Sequence, residues 1–380
     1  MSTNFVMVGK LSIAPDRENR KAFEDRLLDS GCNIRQLNLQ MKCDKDNFNL
    51  QIKSFMNNVK RTSDGTLNVN DSTIYTILDN DGKYESTNFK YKDKDKYEDK
   101  VANFRKLVFV NGEERMECID TFDYAMFVHT MLKSGDYKDK IFQVQGTIEF
   151  SNYKNPKTGV ENTYTNYNVE RIYVVDNDSE QKATANMEMY ITEDCIDDSR
   201  LEEENTFNLM GYIPQYLSKK KGDFGYYKML EYPLNAEGDK AKKKYELIKR
   251  VLLDNFEDNE LCKIGFKVNL IRQREEVPFD FDKCTDEEKD LVEYGLMELK
   301  DLEMQYGAGM GELKDCIQVS SIARGYSTGA TPTNLTLIEL LNNGEEEKAK
   351  PILNDDLTSD EDGDLNIFDT EEGDDFSFDF

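Results

Sequence analysis

Between Gln36 and Met56, apolar and polar residues alternate with a period of two, and this restricts what the chain can build. Leu37, Leu39, Met41 and Cys43 interleave with Gln36, Asn38, Gln40 and Lys42; Phe48, Leu50, Ile52 and Met56 interleave with Asn49, Gln51, Lys53 and Phe55. A two-residue period puts alternate side chains on opposite faces, so each run reads as a strand with one buried face. The polar stretch Asp44, Lys45, Asp46, Asn47 supplies the turn of a hairpin. Further strands are expected over residues 5–13, 73–78 and 107–110. In residues 142–150, Phe142, Val144, Ile148 and Phe150 face a core, and the turn at residues 155–159 leads into a strand over 164–175. Helical spacing marks residues 121–133, with Phe122, Met126, His129 and Leu132 on one side, Asp120 or Thr121 as the cap and Gly135 past the end.

A bent meander, a helix and a closing hairpin form the layout of an OB-fold, a five-stranded partly open barrel. Inserts such as residues 90–100 elaborate it. A shorter version of the pattern follows. Strands are expected over 186–191, 206–213 and 224–232 and a helix near 239–255, followed by a strand with Ile264, Phe266, Val268 and Leu270 inward. Thr285 and Glu288 form a capping box for another helix, whose apolar stripe is Leu291, Val292, Leu299 and Leu302. Strands over 316–322 and 335–341 complete the folded part. The expected class is mainly β with inserted helices: two OB-fold-like β-barrel domains at residues 1–178 and 179–341, then a disordered acidic C-terminal tail at 342–380.

The charge is unevenly spread along the 380 residues. The last 26 positions hold twelve acids and no Lys or Arg, so the formal −27 of the chain falls to −15 without them. Residues 212–274 lean the other way, with fourteen basic residues against nine acidic ones. An acidic tail and at least one basic face follow. The longest notable apolar stretch, residues 124–132, is far short of a bilayer span. The opening MSTNFVMVGK has no basic region leading into an apolar run, so the expected location is the cytoplasm. Seven scattered cysteines without a C-x-x-C pair, and one histidine, do not fit a structural zinc site.

Signals for catalysis are poor. Gly307, Gly309 and Gly311 follow a helix rather than a strand, so the phosphate-cradling context is missing. His129 lies on the apolar side of its helix, as a packed core histidine does. Asp280 and Asp282 alternate with Phe279 and Phe281 but lack further metal ligands, and the calcium-loop near-match at Asp360, Asp362 and Gly363 lacks its bidentate Glu. No cofactor and no enzyme activity are expected.

The stronger signal is aromatic and basic residues interleaved on strands and hairpins. Rings stack on any base while Lys and Arg follow the phosphates, which is the chemistry of single-stranded nucleic-acid binding. In the first barrel Phe55 falls on the polar side of its strand beside Lys53, with Lys60 and Arg61 just beyond. The closing hairpin carries Tyr153, Lys154, Lys157, Tyr164, Tyr167 and Arg171. The second barrel offers Tyr212, Tyr216, Lys219, Lys220, Lys221, Phe224, Tyr226, Tyr227 and Lys228, followed by Lys267, Arg272 and Arg274. Tyr and Phe also favour strand interiors, so each ring has a core reading beside the groove reading.

The tail ends EEGDDFSFDF, with Phe376, Phe378 and Phe380 alternating among Asp374, Asp375 and Asp379. Rings and carboxylates together suit a shallow apolar pocket rimmed by Lys or Arg on a partner. An OB-type body with such a tail resembles the replicative single-stranded DNA-binding proteins, especially those of bacteriophages. The resemblance implies a groove that binds single-stranded DNA without sequence preference. It also implies a tail that recruits a replicative polymerase, a primase–helicase or recombination proteins and competes with DNA, and roles in replication, recombination and repair. An acidic DNA mimic or adaptor that binds DNA-processing proteins is the alternative, and a metal-dependent nuclease using Asp280 and Asp282 is the third choice.

Overall fold

The computed structural model describes residues 3–17, 20–154, 161–217, 222–256, 260–274, 281, 284–300, 302 and 313–342. In chain order the first half contains β1 (Thr3–Ile13), β2 (Phe23–Leu27), β3 (Asn33–Cys43), β4 (Asp46–Met56), β5 (Lys60–Arg61), β6 (Leu67–Asn68), β7 (Thr73–Asn80), β8 (Lys83–Lys90), β9 (Leu107–Asn111) and β10 (Glu114–Cys118). Helix α1 (Thr121–Lys133) and the hairpin of β11 (Ile141–Lys154) and β12 (Glu161–Val175) complete it. The second half has β13 (Lys182–Ile191), β14 (Ile196–Asp197), α2 (Leu201–Glu204), β15 (Thr206–Leu217), β16 (Gly222–Pro233), α3 (Gly238–Leu253) and β17 (Cys262–Arg274). It ends with α4 (Asp286–Glu293), β18 (Leu313–Ile322), β19 (Thr331–Pro332) and α5 (Leu337–Asn342).

Two closed rings emerge from the pairing. β1 pairs with β3, β3 with β4, β4 with β12 in parallel, β12 with β11, and β11 returns to β1. In the second half β13, β15, β16, β18 and β17 close in the same order, again with one parallel contact, β16 to β18. Each ring is a five-stranded barrel with a helix between its third and fourth strands: α1 in one, α3 in the other. This is the OB-fold connectivity, used twice. The alternation seen in the sequence fills the interiors. Leu37, Leu39, Met41, Leu50, Phe142 and Val144 are buried in the first barrel, as are Met189, Phe207, Leu230, Ile264 and Phe266 in the second.

The barrels meet through their first strands, Asn4–Val8 of β1 lying antiparallel to Lys182–Asn186 of β13. Each closing hairpin also leans on the third strand of the other barrel or its neighbour. Phe150 N donates to Gln215 Oε1 at 2.8 Å and Lys228 Nζ to Thr165 Oγ1 at 3.3 Å. On the opposite side, Arg272 N donates to Asp46 Oδ1 at 2.7 Å. Hydrogen bonds from both closing hairpins thus cross the seam between the barrels.

Several local expectations need correction. The β3–β4 turn is tighter than Asp44 to Asn47: Cys43 pairs with Asp46, and Asp44 takes φ 55, a left-handed conformation that Asp tolerates. The buried side of α1 is Phe122, Tyr124, Ala125, Val128 and Met131, while Met126 is exposed and His129 stacks on Phe23 at 4.4 Å. Residues 335–341 do not form a strand. Thr336 and Glu339 exchange capping hydrogen bonds at 2.8, 2.9 and 3.2 Å and open helix α5 instead. The capping box of Thr285 and Glu288 does start α4, but that helix stops at Glu293, so Leu299 and Leu302 lie beyond it. The turn at 155–159, the Gly307–Gly311 loop, Asp280, Asp282 and the tail lie outside the described residues. No helix among the described residues is long and apolar enough to cross a membrane.

Helix α1 is tied to the insert between β4 and α1 through a group of ionisable side chains. Asp120 Oδ1 caps the helix by accepting from Asp123 N at 2.8 Å, while its Oδ2 is buried without a partner. Tyr91 and Lys94 from the insert both reach Asp123. Burial, reinforced by the Asp123 charge, pushes the Asp120 carboxyl from 3.8 up to about 7. The native state therefore retains a proton that the unfolded chain has released above about pH 4, and stability falls as pH rises towards 7. Asp120→Asn keeps the acceptor for the cap and removes the buried charge. Its thermal melt should lose the pH dependence of this group and rise by about 2–6 °C at pH 8. An unaltered difference between melts at pH 5 and pH 8 would contradict this assignment.

Candidate nucleic-acid interface

The outer faces of the second and third strands of each barrel are built from the alternate residues that the core does not use. On β3 and β4 these are Gln36, Gln40, Lys42, Asn49, Gln51, Lys53 and Phe55. Phe55 is 47% exposed, and the Lys53 ammonium lies 5.1 Å from its ring centroid. Burial and the nearby Arg26 lower the Lys53 pKa, while Glu149 opposes them. Beside them an amide network forms the floor. Gln36 donates to Asn38 Oδ1 at 2.8 Å, Gln51 donates to Asn168 Oδ1 at 2.9 Å, and Arg20 donates to Asn38 Oδ1 at 2.7 Å. Primary amides offer donors and acceptors without charge, which suits base and sugar edges.

The second barrel presents tyrosines in register. Tyr190 pairs with Tyr212 across β13 and β15, and Tyr212 with Tyr227 across β15 and β16. The Tyr212 and Tyr227 rings meet edge to face at 5.7 Å, and Tyr227 is 51% exposed. Met210 pairs with Met229 one step along, and Tyr216 is exposed further up β15. Burial raises the Tyr212 phenol pKa, with the Tyr227 field adding to it. Helix α5 is docked at this site. A Cβ on Gly225 would stand 2.7 Å from Leu340 Cγ and 3.0 Å from Tyr212 Cβ, and Leu340 is wholly buried. The last described residues, those of α5, therefore lie beside the tyrosine row.

Not every residue singled out in the sequence reaches these faces. Tyr167 is a core residue: its ring meets Phe5 at 5.5 Å and Phe48 at 5.8 Å and has no face for a base. The cause is a bulge. Gln145 pairs with Arg171 and Gly146 with Val169, so Glu170 is an extra residue that shifts the inward set of β12. Tyr226 is also buried, against Phe150 at 6.0 Å and Phe224 at 4.9 Å, and Phe224 is half-buried with it. Lys228 lies in the seam, 4.9 Å from the Phe150 centroid, and burial lowers its pKa. Lys267 lies on the β13–β17 side of the second barrel, sharing a shallow hollow with Asn186 and Arg324.

Lys60 and Arg61 are exposed on the short β5, Arg61 donating to the Gly65 carbonyl at 2.8 Å. Tyr164 is exposed near the start of β12, and Arg171 further along donates to the Phe104 carbonyl at 3.2 Å. Arg272 pairs with Asp315 at 3.4 Å, and Arg274 ends β17. Tyr153 and Lys154 lie on β11, but their side chains are outside the description, as are Lys157, Lys219, Lys220 and Lys221.

Two features escaped the sequence analysis. Arg17 and Arg20, in the connection from β1 to β2, form a backbone bridge. Burial lowers the Arg20 pKa, and the charges of Arg17 and of Arg272, which belongs to the other barrel, act in the same direction. Their signal was a basic cluster in a loop without periodicity. The second is a pair of exposed rings, Tyr84 and Phe104, twenty residues apart in sequence and joined only by the fold.

No protein-family model matches the sequence, and no curated protein matches it. Among solved structures, the wild-type single-stranded DNA-binding protein of Thermus aquaticus aligns with a TM-score of 0.30 at 9% identity, over 75% of this chain and 98% of that one. A variant of the same protein carrying a deletion and a substitution gives 0.29 and 9%, over 74% and 98%. The connectivity of the two rings, independent of these likenesses, defines the class: a chain with two OB-fold barrels.

Proposed function

We propose that this chain is a non-enzymatic single-stranded DNA-binding protein acting in replication, recombination and repair. The observation that carries it is the repetition of one arrangement. The third strand of each barrel turns an exposed ring outward, Phe55 on β4 and Tyr227 on β16, with a cation beside the first ring and two further tyrosines in register with the second. Outer faces of the middle strands are where OB barrels hold oligonucleotides. Stacking on rings is tolerant of sequence, and Arg17, Arg20 and Arg272 at the seam supply phosphate partners. The chain without its tail still carries −15, so binding would rest on where Lys, Arg and rings are placed on the barrel faces and not on net charge.

The tail is proposed to serve as the recruitment arm. Asp374, Asp375, Phe376, Phe378, Asp379 and Phe380 would dock on a replicative polymerase, a primase–helicase or a recombination protein. The position of α5 beside Tyr212 and Tyr227 supports a tail that competes with DNA for the same face. The function is tested by equilibrium binding of dye-labelled oligo-dT against a duplex of equal length. Preference for the single strand is expected. Equal binding of both, or binding of neither, would refute the proposal; the dye is needed because the chain has no Trp.

A further inference from the structure

The first barrel carries an insert, residues 57–120, between β4 and α1. It is not a loose loop. Ile74, Leu78, Phe89, Val101 and Ile119 give it a small core of its own, against which Tyr91 and Tyr97 pack. Two large rings of the insert take no part in that core. Tyr84, beside the β7–β8 turn, is 61% exposed, and Phe104, ahead of β9, is 49% exposed. They meet edge to face, with centroids 5.1 Å apart, and the Arg105 guanidinium lies 5.9 Å from the Phe104 ring. Leaving both rings in water forgoes their burial, which the fold would otherwise favour.

Their position gives the pair a use. Strand β12 offers one free edge, since β11 occupies the other along its full length. That edge is taken by β4 at Tyr167 and Asn168 and then by β9 from Arg171 to Tyr173. Phe104 stands just ahead of β9, at the fork where β4 departs, and Arg171 holds its carbonyl at 3.2 Å. The polar outer face therefore continues from Phe55 and Lys53, through Gln51 and Asn168, to Arg171 and the ring pair. Glu149 and Glu170 also lie here; burial raises the Glu170 pKa, while Arg171, a hydrogen bond from Thr147 and Arg105 oppose the shift.

We propose that Tyr84 and Phe104, flanked by Arg105 and Arg171, form an additional base-stacking site that extends the path of a single-stranded nucleic acid off the first barrel and onto its insert. Rings with adjacent guanidinium groups match an unpaired base and its phosphate. The proposal rests on the single-strand reading of the barrel faces and lengthens the bound segment beyond them.

The test uses the full chain with Tyr84 and Phe104 both replaced by Ala, and labelled oligo-dT of increasing length. Both side chains are exposed, so folding should be retained, as an unchanged thermal melt would verify. Short oligonucleotides should bind the variant as they bind the parent. Long ones should bind about tenfold more weakly or worse, with the salt dependence kept, because stacking releases no counterions. Tyr84→Phe with Phe104→Tyr should restore long-oligonucleotide affinity. Equal affinity of parent and Ala variant at every length, while Phe55→Ala still weakens binding, would overturn the insert site alone. Absence of binding by the parent would overturn the single-strand reading and this site with it.

Discussion

Gly146→Ala should destabilise the first barrel by about 3–5 kcal/mol, among the largest effects of any single substitution in the chain. An ideal Cβ at this position would stand 1.8 Å from the Asn168 carbonyl oxygen, 2.9 Å from its carbon and 3.0 Å from Phe5 Cε1. Two of these atoms belong to the β12 backbone, which cannot yield without parting β11 from β12 next to the bulge at Glu170. Gly9 faces the same situation, its Cβ 2.1 Å from the Lys42 carbonyl oxygen where β1 bends across to β3. Glycines at these two corners let the strands approach closely enough to close the ring. Gly325→Ala is the control, since nothing stands within 4 Å of its Cβ. Urea denaturation of the three proteins decides the matter. A Gly146→Ala midpoint indistinguishable from that of Gly325→Ala would mean the corner is more open than this packing allows.

Removal of Phe55 and Tyr227 together should weaken oligo-dT binding by about 2–6 kcal/mol, at about 1–3 kcal/mol for each stacking ring. Both rings are exposed and absent from the core, so the double Ala variant should melt as the parent does. The single variants are expected to be additive if the two barrels engage separate stretches of one strand, because distant sites couple little. Fluorescence anisotropy at fixed salt measures all four proteins. Parent-like affinity in the double variant would exclude these rings from the interface. Tyr167→Phe supplies a contrast. Its ring stays among Phe5 and Phe48, and its effect on DNA affinity should be negligible.

The contrast between Tyr227 and Tyr167 shows how far the sequence could be read. The ring of barrel strands was legible because each strand alternates and each barrel helix lies between its third and fourth strands. Tyr226 and Tyr227 are neighbours, so only one can face outward, and the phase set by Leu230 and Tyr232 assigns Tyr226 to the core. Tyr167 was harder, since a single extra residue at Glu170 reverses the phase of β12 and no local pattern marks it. The stretch at 335–341 was misjudged because its leucines and isoleucine look strand-like, although the T-x-x-E of Thr336 and Glu339 carried the helix signal. The seam arginines and the Tyr84–Phe104 pair depend on tertiary proximity. Nothing in local spacing brings Arg17 and Arg20 to Arg272, or a hairpin ring to a ring twenty residues later.

The account depends on cationic groups and rings acting together on the barrel faces in an anionic molecule. The salt dependence of oligo-dT affinity tests this most directly, measured for the full chain and for a chain ending at Asn354. Each phosphate contact releases a counterion, so the logarithm of affinity should fall linearly with the logarithm of salt, at about 0.7 per contact on a single strand. The shorter chain should bind more tightly at every salt concentration, having lost the competing acids. No binding by the shorter chain at low salt, or an affinity independent of salt, would contradict the account.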